Sequence, residues 1–293
     1  MLTREYRTVM PLSIEEYRIA QLFCIEEASP RQIEEASEGE LRIEVVRDNE
    51  PFEGQNLCNG RFTSGHFTHR IYHFNSKLLP SLLRRLLPKG AMNVHEQSWS
   101  AFPYSKVELT NPDFMKDNFL IRTETLILSD RGTTKNAFGL TKKALNECQK
   151  MVRIDIANDT EFLSAEDFTE DTRPSTNDLA PSTFRSACTG RGPLKPQWQT
   201  NCEPVVCVYK LVTVKFKWLG FQTMVESLMQ KVSPKLICIF CRELFCSMDR
   251  WYGRTLTPIR SIEDEAQQAL DETDELATDN PPQGMTASNG SER

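Results

Sequence analysis

The chain has no run of about 18 apolar residues, so no helix able to cross a bilayer is expected. Its opening, MLTREYRTVMPLSIEEY, carries charge throughout and has none of the apolar core of a secretory leader. The expected location is therefore the cytosol. The nine cysteines are odd in number and cannot all pair within one chain, which fits reduced thiols. There is no basic excess. A net charge of −6 argues against a nucleic-acid partner and against strong, purely electrostatic adhesion to anionic membranes. Metal and catalytic constellations are missing too. Cys238, Cys241 and Cys246 fall in a helical pattern with no fourth ligand nearby, and His66 points away from His69 and His73 on a strand. TGRG lacks the Lys-Ser/Thr of a phosphate loop, and no Gly-x-Ser-x-Gly elbow occurs. With no nucleophile–base set, the chain does not read as an enzyme, and no metal or cofactor is expected.

What is present is the pattern of an α+β protein. Residues 3 to 11 alternate as a strand and lead into SIEEYRIAQLF, where Ser13 is a cap and Ile14, Tyr17, Ala20 and Cys24 are spaced at three and four. SPRQIEEASEGE reads as a loop, LRIEVVRD and HFTHRIYHF as strands, and PSLLRRLLP as a short helix. Further strands fall in residues 91 to 110 and 119 to 128. TKKALNECQKMV has helical spacing, followed by the strand VRIDIA. Residues 157 to 203 are a long polar excursion. A long helix is expected over 222 to 248, with an apolar stripe of Val225, Leu228, Met229, Val232, Leu236, Ile239 and Phe240 and a kink or break at Pro234. Another helix begins at the Thr257 cap, and residues 277 to 293 read as a loose tail after a domain of 1 to 276.

The most informative segment is VVCVYKLVTVKFKWLGF, residues 205 to 221. On a strand, Val206, Val208, Lys210, Val212, Val214, Phe216 and Trp218 share one face, which puts Lys210 toward the interior. An ammonium there needs a charged or polar partner. It either snorkels to an edge or joins an internal ion pair, or it meets an anionic ligand in a cavity. Glu263 raises the same choice, since it falls within the stripe Ile259, Ile262, Ala266, Ala269 and Leu270. The corner WLGF either tucks aromatics into the core or docks on a membrane, where tryptophan favours the interface.

These segments resemble the phosphatidylinositol transfer protein family, in its single-domain class. The likeness runs from residue 4 to about 286 and rests on REYR with PLSIEEYRIAQLF, NEPF, FTHRIYH, SKLLP, HEQSWSAFPY, TGRGPL, YKLVTVKFKW and GMTA. The resemblance implies a helix-grip (START-like) fold, in which a concave antiparallel sheet and long C-terminal helices enclose a lipid cavity. It implies exchange of phosphatidylinositol and phosphatidylcholine between membranes, by a monomeric cytoplasmic protein that touches membranes transiently. By the same resemblance Gln21, Thr125 and Lys210 hold the lipid phosphate. Thr68, Arg70, Ser100 and Glu263 meet the inositol ring, while Trp218, Leu219 and Phe221 dock on the membrane. Ser186 is a candidate phosphorylation site. The chain departs from the family at Arg70, Ser100, Ser105, Val107, Cys188 and Leu219, where the family has lysine, asparagine, cysteine, threonine, a basic residue and tryptophan. The alternatives are a carrier of another phospholipid, such as phosphatidic acid, and a sensor or adaptor that presents lipid to a kinase.

Overall fold

A computed structural model describes residues 1–37, 41–74, 90–158, 180–218 and 220–255. The described residues form a mixed, open sheet of strands β1 (Leu2–Met10), β2 (Leu41–Phe52), β3 (Gly65–Phe74), β4 (Asn93–Ala101), β5 (Tyr104–Thr110), β6 (Phe119–Leu128), β7 (Cys148–Ile154) and β8 (Val206–Phe216). Their order is β2-β3-β4-β5-β6-β8-β1-β7. Strands β2 to β6 form an antiparallel meander, in which each strand pairs with the next in sequence. Strand β7 instead reaches the far edge and pairs parallel to β1, from Thr3↔Cys148 to Thr8↔Ile154. The expectation of a wholly antiparallel sheet is corrected there. A parallel pair needs a long crossover rather than a hairpin, and no local pattern reveals that crossover. Strand β8 then fills the gap between β6 and β1, antiparallel to both.

The helices are α1 (Ile14–Ser37), α2 (Lys142–Glu147), α3 (Trp198–Asn201), α4 (Gln222–Cys246) and α5 (Met248–Trp251). Helix α1 opens with a capping box: the Glu16 amide donates to Ser13 Oγ (3.1 Å) and the Ser13 amide donates to Glu16 Oε2 (2.8 Å). It runs past Ser29 and Pro30 to Ser37, where a loop was expected. The helical reading of TKKALNECQKMV is also shortened. Only Lys142–Glu147 is helical, and the chain turns to strand at Cys148, drawn into the sheet by pairing with β1.

Pro234 does not split α4, which is continuous from Gln222 to Cys246. Ser233 and Pro234 are buried, so packing holds the helix together against the loss of one hydrogen bond. The buried stripe is also not the expected one. Pro234, Ile237, Cys238, Cys241, Leu244 and Phe245 face inward, whereas Leu228 (55% exposed) and Leu236 (60% exposed) face out. Cysteine here packs as a small hydrophobe, and counting only large aliphatics rotates the apparent face.

Helix α4 covers one face of the sheet at β1 and β8, and α1 packs against α4 and α5. Tyr6 bonds to Ser233, Tyr17 lies against Cys241 and Cys24, and Cys24 Sγ is 3.8 Å from Ser247 Oγ. The opposite face of β8 is covered by the loop after β6. There Tyr209 donates its hydroxyl to Asp130 (2.7 Å), whose carboxylate also accepts from the Gly132 and Thr134 amides. The chain falls into two compact units, Met1–Gly253 and Arg254–Arg293. The expected helix from Thr257, the short helix PSLLRRLLP and the tail 277–293 lie outside the described residues.

Candidate functional site

Directly opposed residues of an antiparallel pair share a face, so the register builds rows of side chains across the sheet. One row reads His66, Ser100, Ser105, Thr125, Lys210 and Tyr6, crossing β3, β4, β5, β6, β8 and β1. The next reads Thr68, Ser98, Val107, Thr123, Val212 and Arg4. Both lie on the face that α4 covers at the β1 end, where Tyr6 meets Ser233 and Lys210 meets Cys241. The other face carries the charged residues Lys106, Glu108 and Arg122, with the Lys106 ammonium 3.8 Å from the centre of the Trp99 ring and 3.4 Å from Glu108.

Lys210 Nζ donates to Thr125 Oγ1 across β8 and β6 (3.2 Å). Burial pushes the Lys210 pKa below the ordinary lysine value. The side chain nevertheless keeps part of its surface accessible. Cys241 lies close by, its thiol pushed up to about 12 by burial, and so it stays neutral at physiological pH. Gln21 lies on α1 one turn beyond buried Tyr17 and is half-buried. Of the expected trio, Lys210 and Thr125 are in contact across β8 and β6.

Toward β3 the same face stays accessible. Ser100 is exposed, and Thr68, Ser98, Ser105, Val107 and Thr123 are half-buried. Thr68 Oγ1 accepts from the Asn49 amide (3.1 Å), and Arg70 lies 3.8 Å from Asp48 with Glu96 opposite it on β4. Gly65 admits the close approach beside this row, since a Cβ there would lie 2.1 Å from the Ser100 carbonyl oxygen. Glu263 and Leu219 lie outside the described residues.

At the other end of β8, Trp218 packs edge-on to Phe114 (5.9 Å) and beside Phe221 (5.9 Å). Phe221 is 36% exposed. Ser186 is only 1% exposed. Its hydroxyl donates to Asp249 (2.5 Å), which also accepts from the Ala187 and Cys188 amides (2.9 and 3.1 Å). Those donors hold the Asp249 carboxyl down to about 2. A kinase reaches Ser186 only if this contact opens. The TGRGPL segment has a structural task as well, because Arg191 grips Glu16 with both guanidinium nitrogens (2.7 and 2.8 Å) and so ties the loop to the α1 cap.

The residues that sequence reasoning missed are Tyr6, His66 and Ser98 in the polar rows, Asp249 beneath Ser186, and Met224 beside the aromatic corner. His66 was legible, since it alternates onto the same face as Thr68. Asp249 left no local signal.

Fold and site together define an α+β protein with a half-buried cation beneath a helix and rows of hydroxyls on the accessible part of the same sheet face, together with an accessible aromatic corner. The family described as "Phosphatidylinositol transfer protein" matches residues 1–268. The human "Phosphatidylinositol transfer protein beta isoform" is 38% identical over 276 residues, covering 92% of this chain and 94% of that protein. "Phosphatidylinositol transfer protein 2" of Dictyostelium discoideum is 36% identical over 274 residues, covering 92% and 95%. The mouse "Membrane-associated phosphatidylinositol transfer protein 1" is 33% identical over 279 residues, which is 92% of this chain and 20% of that protein. The chain belongs to the phosphatidylinositol transfer protein family.

Proposed function

We propose that this protein encloses one phospholipid, phosphatidylinositol or phosphatidylcholine, and exchanges it between membranes without covalent chemistry. The observation that carries this reading is the Lys210–Thr125 pair, an ammonium and a hydroxyl held under helices at the edge of an accessible polar face. A phosphodiester supplies the missing counter-charge in such a setting. Enclosure answers a large barrier. A diacyl lipid has roughly 30 methylenes, and at about 0.8 kcal/mol each their exposure to water costs on the order of 25 kcal/mol.

In this reading Lys210, Thr125 and Gln21 hold the phosphate. Thr68, Arg70, Ser100 and Glu263 meet the inositol ring, whose hydroxyls both donate and accept. The sheet and helices work as a helix grip, and the protein acts as a cytoplasmic monomer. Trp218 and Phe221, with Leu219 between them, touch the membrane transiently, and phosphorylation of Ser186 regulates the cycle. Mass spectrometry of the purified protein under native conditions, paired with a vesicle-to-vesicle transfer assay, tests the proposal. One bound phospholipid per chain and unaided transfer are expected. A lipid-free chain that moves no phospholipid overturns it.

A further inference from the structure

Strand β2 is an edge of the sheet, and its pairing with β3 slips twice. Between Val45 and Arg47, and again between Arg47 and Glu50, β2 carries one more residue than β3 does. An extra residue re-aims the side chains around it. Arg47 turns to the face that bears Trp99 and Lys106, with its guanidinium 5.9 Å from the centre of the Phe67 ring. Asn49 takes a left-handed φ of 49°, which asparagine tolerates, and its amide donates to Thr68 Oγ1 (3.1 Å). Asp48 turns toward Arg70. The second slip thus delivers two consecutive residues of β2 to Thr68 and Arg70, which are successive positions on one face of β3.

Arg70 stands between two carboxylates. On one side it is directly opposite Glu96 of β4. The Tyr72 hydroxyl donates to Glu96 Oε2 (3.2 Å) and also lies against the Arg70 guanidinium, so it links the two. On the other side Arg70 Nη2 is 3.8 Å from Asp48 Oδ1. That separation makes an ion pair but is too long for a hydrogen bond. Neither group saturates the other, and the gap between them opens to solvent, since Asp48 is exposed and Arg70 half-buried. An open pair of this kind contributes little to stability, so holding the fold together is a poor account of it.

Resting on the transfer reading above, we infer that Asp48 is a specificity-determining head-group residue, which together with Arg70 takes two neighbouring hydroxyls of a neutral polyol head. One hydroxyl donates to the Asp48 carboxylate while the next accepts from the Arg70 guanidinium. A choline head can do neither. Its trimethylammonium has no donor and no acceptor, and covering the pair with it strips both groups of water without replacing their hydrogen bonds. A site whose groups are placed to bond hydroxyls discriminates against a head that lacks them for this reason.

The test is competitive loading. The full chain is incubated with vesicles holding equal amounts of phosphatidylinositol and phosphatidylcholine, recovered, and its lipid read by mass spectrometry under native conditions. Asp48→Ala is expected to lower the ratio of bound phosphatidylinositol to bound phosphatidylcholine about tenfold relative to the wild type. Asp48→Glu, which keeps the carboxylate, is expected to retain most of the wild-type ratio. Because Asp48 is exposed and its pair with Arg70 is open, both variants are expected to unfold at the wild-type temperature. An unchanged ratio in Asp48→Ala overturns the inference. So does an equal loss of both lipids, or a ratio that falls alike in Asp48→Ala and Asp48→Glu. In each of these cases the wild type still carries lipid, so the transfer reading stands. A wild type that takes up neither lipid overturns the transfer reading, and the inference with it.

Discussion

Lys210 and Thr125 are 85 residues apart in sequence and direct partners across β8 and β6, with Nζ 3.2 Å from Oγ1. A half-buried ammonium that bonds to one hydroxyl is poorly solvated, and desolvation lowers its pKa. The pair makes sense as a half-finished site that an anion completes.

Lys210→Met keeps the length of the side chain and removes the charge. Transfer of both phosphatidylinositol and phosphatidylcholine is expected to fall at least tenfold, measured between donor and acceptor vesicles. The lipid-free fold does not suffer in parallel. Because the folded-state pKa is lowered, the unfolded chain binds the proton more tightly, so lipid-free stability at this group rises with pH toward 10.5. The Met variant lacks that component, and chemical unfolding at several pH values detects the difference.

Thr68→Val keeps volume and removes the hydroxyl that accepts from Asn49. Phosphatidylinositol transfer is expected to drop severalfold while phosphatidylcholine transfer holds. Equal losses for the two lipids would remove Thr68 from the ring-binding set.

Glu16 serves both the Ser13 cap and the Arg191 clamp. Glu16→Ala is expected to cost about 2 kcal/mol of stability. Combined with Arg191→Ala, the loss is expected to fall about 1 kcal/mol short of the sum of the two single losses. A double-mutant cycle by urea unfolding reads the coupling. Simple additivity would mean that the bidentate contact contributes nothing.

Asp249 is held at about 2 against an ordinary 3.8 by the Ser186 hydroxyl and then the Ala187 and Cys188 amides. For an acid with a depressed pKa, the stabilisation is complete above 3.8 and is lost as pH falls toward 2. Asp249→Asn is expected to lose stability at neutral pH and to show a flatter acid-denaturation curve. Phosphate on Ser186 sets a dianion against this carboxylate, so a phosphorylated protein should expose the loop to protease.

Trp218→Ala is expected to weaken vesicle binding about tenfold without emptying the lipid site, since its ring packs only against Phe114 and Phe221 among the described aromatic contacts. Flotation with vesicles and lipid content measured on the same sample separate the two effects.

The amino-acid order by itself determined whatever depends on near neighbours. The inward direction of Lys210, the Ser13 cap, and the separation of His66 from His69 and His73 all follow from periods of two or four residues. So did the α+β class. The tertiary structure alone decided which strands meet: β7 beside β1, Thr125 opposite Lys210, Asp249 beneath Ser186, Arg191 on Glu16. It also decided which flank of α4 faces water. A side chain's periodicity is set within a few residues of backbone. Pairing between distant segments is set by the path of the connections and by competition for the same apolar surface, and neither leaves a mark in any short stretch of chain.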